Sequence, residues 1–115
     1  MSTIIENLTL WGADCNSLME RLSNDEEFIV MCLNNFLLEP SFAELKQSIE
    51  KKEYSEAFKH VRCLKGTAAN LDLTPIYQCL SDLTEKLRNE DYDIDQEYQE
   101  VINQYNKLKE IVNNG

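Results

Sequence analysis

The side chains of this chain that could do chemistry are concentrated between positions 51 and 65. This stretch holds five of the eleven Lys and Arg residues, although 21 acidic residues give the chain a formal net charge of −10. It also holds the only histidine, His60. A local cluster of positive charge in an acidic protein favours binding of an anionic group or an acidic partner. The five basic residues are Lys51, Lys52, Lys59, Arg62 and Lys65.

A helical repeat of apolar residues places most of these side chains on one helix. Apolar residues recur at i, i+4, i+7, i+11 and i+14 from Ala57, which predicts a helix that begins at about Tyr54 and buries this stripe. At about 100° per residue, the opposite side of the helix is predicted to be exposed. Its members are Lys59, Arg62, Gly66, Ala69 and Asn70, with Lys65 on the flank beside Arg62.

Gly66 is an unusual residue for the middle of a helix. A glycine there costs about 1 kcal/mol relative to alanine, and nothing in the predicted monomer offsets this cost. Together with the small side chain of Ala69, it indicates that a partner approaches this face closely. The alternative is that the basic residues only keep an exposed face soluble and that Gly66 is tolerated.

The segment from Arg62 to Leu71 carries a family likeness. It reads Arg-Cys-Leu-Lys-Gly-Thr-Ala-Ala-Asn-Leu and resembles the His-x-Leu-Lys-Gly-Ser-Ala-Ala-Asn-Leu signature of histidine-phosphotransfer (HPt) domains, closely except at its first residue. Residues 14–28, Phe36 and residues 83–87 also resemble the helices of this family. The resemblance therefore covers most of the chain.

The resemblance implies a four-helix bundle and a phosphorelay role. HPt domains accept a phosphoryl group on one exposed imidazole, from a receiver-domain aspartate or a kinase, and pass it to another receiver aspartate without a cofactor. In the family, a lysine three residues after the histidine attracts the phosphoryl oxygens and a glycine four residues after it leaves room, since these positions share a helix face. Lys65 and Gly66 match these roles.

Position 62, where the family has its phosphorylated histidine, is arginine. A guanidinium stays protonated and cannot be the phosphoryl-accepting nucleophile. His60 lies about 160° around the helix from Arg62, nearer the buried stripe, and has no lysine three or four residues later. Rotating the helix to expose His60 would also expose Val61 and Leu64, at a cost of about 1.5 to 3 kcal/mol each. We therefore expect His60 to be a partly packed histidine on the helix flank, and a phospho-acceptor only as an alternative.

Helix-start signals divide the rest of the chain. Two short helices are predicted first, one carrying Ile4, Ile5 and Leu8 and one carrying Leu18 and Leu22. Capping boxes and a Thr-Pro pair then open further helices, and the connections between them are short. The predicted N-caps are Ser2 or Thr3, Asp14, Ser23, Ser41, Thr74 and Asp93.

These helices predict an all-α fold, an antiparallel four-helix bundle with a short N-terminal helical extension. We expect a single HPt-like domain over residues 1–115, with the core bundle over about residues 23–112. The negative net charge excludes nucleic acid and anionic membrane surfaces as partners. The N-terminal residues lack the basic region of a signal peptide, and no segment approaches the ~20 apolar residues of a membrane span. We expect a cytoplasmic monomer.

The four cysteines are predicted to be reduced thiols in the core. Successive cysteines lie sixteen or more positions apart, and with one histidine the usual zinc spacings are missing. Each lies within an amphipathic helical pattern, where a thiol serves as a small apolar group. We expect neither a metal nor another cofactor. The cysteines are Cys15, Cys32, Cys63 and Cys79.

Three functions are compatible with these residues, and none of them is classical enzyme catalysis, because His60 has no nucleophile beside it on an exposed face. The first is a non-phosphorylatable pseudo-HPt domain that binds a response-regulator receiver domain or a hybrid histidine kinase through the basic face. The second is an active phosphotransfer protein that uses His60. The third is a helical adaptor that uses another surface, such as residues 89–100 with an exposed Tyr92.

Overall fold

A computed structural model of the chain describes residues 3–114, and every regular element in this range is an α-helix. The predicted all-α class is therefore confirmed. Short turns of two to six residues connect the helices. The seven helices are α1 Thr3–Trp11, α2 Cys15–Arg21, α3 Glu26–Leu37, α4 Pro40–Glu50, α5 Tyr54–Asn70, α6 Thr74–Arg88 and α7 Asp95–Asn114.

The long helix α5 lies at the centre of the fold, because it packs against α4 on one side and α6 on the other. Helix α7 packs in turn against α6, α3 and α1. The apolar stripe predicted for α5 is buried, with four members fully inaccessible and Leu71 nearly so. The stripe prediction is confirmed, and it fixes which side of α5 faces outward. Its fully buried members are Ala57, Val61, Leu64 and Ala68.

Helix α1 belongs to the same hydrophobic core as the other helices. Ile4, Ile5 and Leu8 are buried within that core, and the indole of Trp11 donates a hydrogen bond to Gln104 Oε1 on α7 at 2.7 Å. Among the described residues, α1 packs mainly on α7 and α2. Helix α1 therefore does not cover the face of α5 that was predicted from the sequence to be exposed.

Helices α1, α2 and α6 each begin within one residue of their predicted N-cap. The carboxylate of Asp14 accepts a hydrogen bond from the Ser17 amide, so Asp14 caps α2 as predicted. Helix α1 begins at Thr3, while the alternative cap Ser2 lies outside the described residues. Helix α6 begins at Thr74 with Leu73 at the N-cap, one residue earlier than predicted.

Three predicted capping boxes are wrong. Asp25, not Ser23, caps α3, since its carboxylate accepts the Phe28 amide and Ser23 has a left-handed backbone with φ of 59°. Helix α4 begins at Pro40, so Ser41 is already inside it. Helix α7 begins at Asp95, two residues after the predicted cap Asp93. At α3 the nearby Asp25 is an equally good cap, and at α4 Pro40 favours the first helical position, so the box pattern does not discriminate between the possible starts.

Cys63 is exposed, which contradicts its prediction as a core thiol. It follows Arg62 on the helix, and its angular position lies outside the buried stripe of α5. Cys15 is buried, whereas Cys32 and Cys79 are partly buried. All four are free thiols.

Residues 26–50, which span α3, α4 and the turn between them, are long and apolar enough to cross a membrane by length and composition. By this measure the expectation that no segment approaches a membrane span is wrong. Core helices of water-soluble proteins meet the same measure. The turn at Leu38 and Glu39 divides the segment into helices of 12 and 11 residues, each shorter than the ~20 residues that a span needs. The cytoplasmic location stays a prediction.

Candidate functional site

The candidate site is the outward side of α5, which we call the basic face. Helical periodicity predicts that its six residues lie on the outward side and flank of one helix. In the structure all six lie at the surface of α5. Lys65 is partly buried, and the other five are exposed. The basic face consists of Lys59, Arg62, Lys65, Gly66, Ala69 and Asn70.

Gly66 leaves open space in the middle of the basic face. A Cβ atom placed on Gly66 would meet no atom of the described residues within 4 Å, apart from the adjoining backbone. Packing among the described residues therefore does not require this glycine. The absence of a side chain lowers the helix surface at this point and lets a partner approach the backbone between Arg62 and Ala69.

Arg62 and Lys65 present their charges without a carboxylate partner. Within residues 3–114, neither has an acidic oxygen within 4.0 Å. Instead, the guanidinium carbon of Arg62 lies 5.6 Å from the centroid of the Phe58 ring. The ammonium of Lys65 lies 5.9 Å from the centroid of the Tyr77 ring on α6. Aromatic faces hold both cations in place and leave their hydrogen-bond donors available.

The remaining lysines of the cluster contribute less to this face. Lys59 is exposed and pairs with Glu56, with 3.2 Å between Nζ and Oε1. Lys51 and Lys52 lie in the turn before α5, where Lys51 is the C-cap of α4 and Lys52 has a φ of 58°. The sequence cluster of five basic residues is therefore divided between a turn and the basic face.

His60 lies on the other flank of α5, in the groove shared with α4. Its Nδ1 atom is 3.3 Å from Glu44 Oε2, and its side chain is 22% exposed. Ser48 and Lys51 also line the shallow cavity at this groove. A phosphoryl group on His60 would meet the carboxylate of Glu44, which is unfavourable for an anion. The packed position of His60 agrees with the structural role expected for it.

Two clefts border the C-terminal end of the basic face. Asn70 lines a cleft of about 250 Å³ together with Cys32 and Asn35 of α3. Ala69 lines a second cleft of about 260 Å³ together with Thr74 and Tyr77 of α6. The basic face therefore continues into concave surface on both sides, which can receive side chains of a partner.

Arg88 is a neighbour of this site that the sequence did not identify. It comes from the last turn of α6, and its guanidinium carbon lies 5.8 Å from the centroid of the same Phe58 ring that Arg62 contacts. Arg88 also forms an ion pair with Glu85. The periodicity of α6 does not specify its register against α5, so no sequence signal links Arg88 to Arg62.

The surface proposed for a helical adaptor is partly occupied within the chain. Tyr92 is 46% exposed, and its ring stacks on that of Tyr54, with 4.1 Å between centroids and 5° between planes. Lys86 pairs with Asp91 in the same region.

Within the described range, no group of three or more His, Cys, Asp and Glu side chains is arranged to hold a metal ion.

Comparison of the chain with protein-family models, with curated proteins and with solved structures found no match in any of the three. The basic face and the signature from Arg62 to Leu71 are therefore the features that bear on function.

Proposed function

We propose that this chain is a pseudo-HPt domain, which binds receiver domains through the basic face and does not transfer phosphoryl groups. The observation that supports it most strongly is the open space beside Gly66, flanked by the unpaired cations of Arg62 and Lys65. Open space beside the helix and positive charge without a carboxylate partner together suit an acidic partner that comes close to the helix.

The packing order of the helices supports the bundle part of this proposal. Helix α4 contacts α5, α5 contacts α6, α6 contacts α7, and α7 contacts α3. When α3 and α4 are counted together as one helix of the bundle, each of the four helices contacts two others, in a closed ring. Short connections favour antiparallel neighbours in such a ring. The arrangement agrees with the four-helix bundle implied by the resemblance to HPt domains.

The chemistry of Arg62 explains how such a domain would act. Receiver active sites are acidic pockets that hold Mg²⁺ and a phosphorylatable aspartate. A guanidinium is a permanent cation with a planar fork of donors, which pairs with carboxylate or phosphoryl oxygens through two parallel hydrogen bonds. Arg62 would enter the pocket as a fixed charge where an HPt histidine would accept a phosphoryl group. The outcome would be sequestration or tuning of a response regulator.

A binding titration tests this proposal. The receiver domains of the source organism are titrated with the wild-type chain, with Arg62→Ala and with Lys109→Ala. Lys109 is an exposed lysine of α7 away from the basic face, so its variant matches the charge change. We expect Arg62→Ala to weaken binding about tenfold or more, since a charge-assisted hydrogen bond contributes about 1.5 to 3 kcal/mol. Lys109→Ala should bind like the wild type.

Equal binding by all three chains would show that the basic face is not the receiver-binding surface. Charge swaps at Lys59 and Lys65 would then also leave binding unchanged, and the adaptor hypothesis would replace this one.

A further inference from the structure

Phe58 brings together two arginines from different helices. Arg62 follows Phe58 by one turn of α5, and Arg88 ends α6. Their guanidinium carbons lie 5.6 Å and 5.8 Å from the centroid of this one ring. The ring itself is partly buried and packs against the hydrophobic core. Two permanent cations therefore share one fixed aromatic support at the edge of the basic face.

This support prepares both guanidinium groups for an anion. A cation held over an aromatic ring has less conformational freedom to lose when it binds a ligand. Arg88 already pairs with Glu85, but a guanidinium has five donors, so most of them remain available.

The number of cations indicates the kind of anion. A carboxylate carries one charge on two oxygens, which a single guanidinium fork satisfies. A phosphoryl group carries close to two charges and three acceptor oxygens, which suits two forks. The charge and the donors of this pair exceed what an unmodified aspartate would use.

We propose that Arg62 and Arg88 form a two-guanidinium site for a phosphoryl dianion carried on the aspartate of a partner receiver. The chain then binds the phosphorylated state of the receiver in preference to the unmodified state, with Arg88 supplying much of the discrimination. This inference rests on the proposed function and adds to it a dependence on the signalling state of the partner.

The test compares two states of one receiver, the first with Mg²⁺ alone and the second with Mg²⁺ and beryllofluoride, which mimics the acyl phosphate. Each state is titrated with the wild type, Arg88→Ala, Arg88→Lys and the control Lys109→Ala. We expect the wild type and the control to prefer the beryllofluoride state about tenfold or more, as an added charge-assisted hydrogen bond allows. Arg88→Ala should lose most of this preference and keep its affinity for the unmodified state.

Arg88→Lys retains the charge but not the planar fork, so its preference should fall between those of the wild type and Arg88→Ala. Circular dichroism of each variant confirms its fold. Phe58→Leu provides a second test, because it keeps apolar bulk in the core and removes only the aromatic support. It should reduce the preference in the same direction as Arg88→Ala.

The two proposals fail in different ways. Equal binding of both receiver states by the wild type, or an equal loss for both states in Arg88→Ala, would overturn the phosphoryl site and leave receiver binding intact. No binding of either state would overturn receiver binding itself, and the phosphoryl site with it. Removal of the preference by micromolar inorganic phosphate would assign the site to a free anion instead.

Discussion

Arg62 adds a positive charge to the basic face, whereas Gly66 leaves an open space in it. Arg62 contacts an aromatic ring but no carboxylate of the described residues. Gly66 weakens the helix in which it lies. No atom of the described residues fills the space where its side chain would be. No contact within the described residues accounts for either residue, and the partner proposed above would account for both.

Replacement of Gly66 by alanine should make the isolated protein more stable. The site is helical, and a Cβ there has open space, so Gly66→Ala should raise the free energy of unfolding by about 0.5 to 1 kcal/mol. Urea denaturation measures this difference. Gly66→Gln, whose longer side chain fills the space, should weaken receiver binding in a titration. Urea denaturation of the same variant should show that it remains folded.

Gly12 supplies the matched control for this prediction. Its φ is +120°, and an added Cβ would lie 3.1 Å from Pro75 Cγ, so Gly12→Ala should be destabilising. If Gly66→Ala were destabilising as well, Gly66 would have a role in folding, and its retention would say nothing about a partner.

The exposed side of α5 could be predicted residue by residue, because the stripe from Ala57 to Leu71 is regular over four turns. The pairing of Arg62 with Arg88 could not. It depends on how α6 is placed against α5, and side-chain packing rather than periodicity determines that placement. The same helical angles predict that Cys63 is exposed, whereas the general preference of thiols for the core predicts burial, and the angles give the correct result.

Helices α3 and α5 differ in how clearly their sequences define a buried side. Helix α5 has charged residues opposite its stripe, so one orientation is favoured. Helix α3 is apolar on most sides, and its buried residues are Ile29, Leu33, Phe36 and Leu37. Phe28, Met31 and the following Leu38 remain exposed, Leu38 by 79%. Periodicity alone therefore identified α3 as a helix without showing which side it buries.

Lys86 lies at the junction of α6 and α7, and its contacts there predict a loss of stability at alkaline pH. Its Nζ atom donates to the Asp93 carbonyl at 2.8 Å and lies 3.2 Å from Glu97 Oε1. The ion-pair contact with the Glu97 carboxylate is the main reason that the pKa of Lys86 is raised above its ordinary value of 10.5. Because the folded state holds this proton more tightly, the contribution of Lys86 is complete below pH 10.5 and is lost as the pH rises through the raised pKa.

Lys86→Met should therefore be less stable than the wild type at about pH 9 and should lose less stability between about pH 9 and pH 11. Chemical denaturation at the two pH values measures both effects. Burial, followed by the charge of Glu50, raises the pKa of Tyr98 as well, but this contribution is common to both chains. Parallel losses in the two chains would mean that Lys86 does not stabilise the α6–α7 junction.

At the scale of the whole molecule, the basic face is a local exception in an acidic protein. The net charge of −10 repels an acidic partner at long range, whereas the unpaired cations of α5 attract it at contact. Helix α1 lies on the α7 side of the molecule, so it does not shield this face. If the proposed function is correct, an acidic partner would bind in one orientation, with the basic face toward it.

Whether the basic face binds receivers in the orientation of an HPt domain is tested by phosphotransfer to the wild type and to Arg62→His from a phosphorylated receiver of the source organism. Arg62→His restores an imidazole at the position where HPt domains carry it, with Lys65 and Gly66 already in place. We expect an acid-labile phosphoryl group on Arg62→His and none on the wild type. A label on the wild type that His60→Gln abolishes would instead establish His60 as the phospho-acceptor. An unlabelled Arg62→His would contradict the claim that the basic face binds receivers in the orientation of an HPt domain.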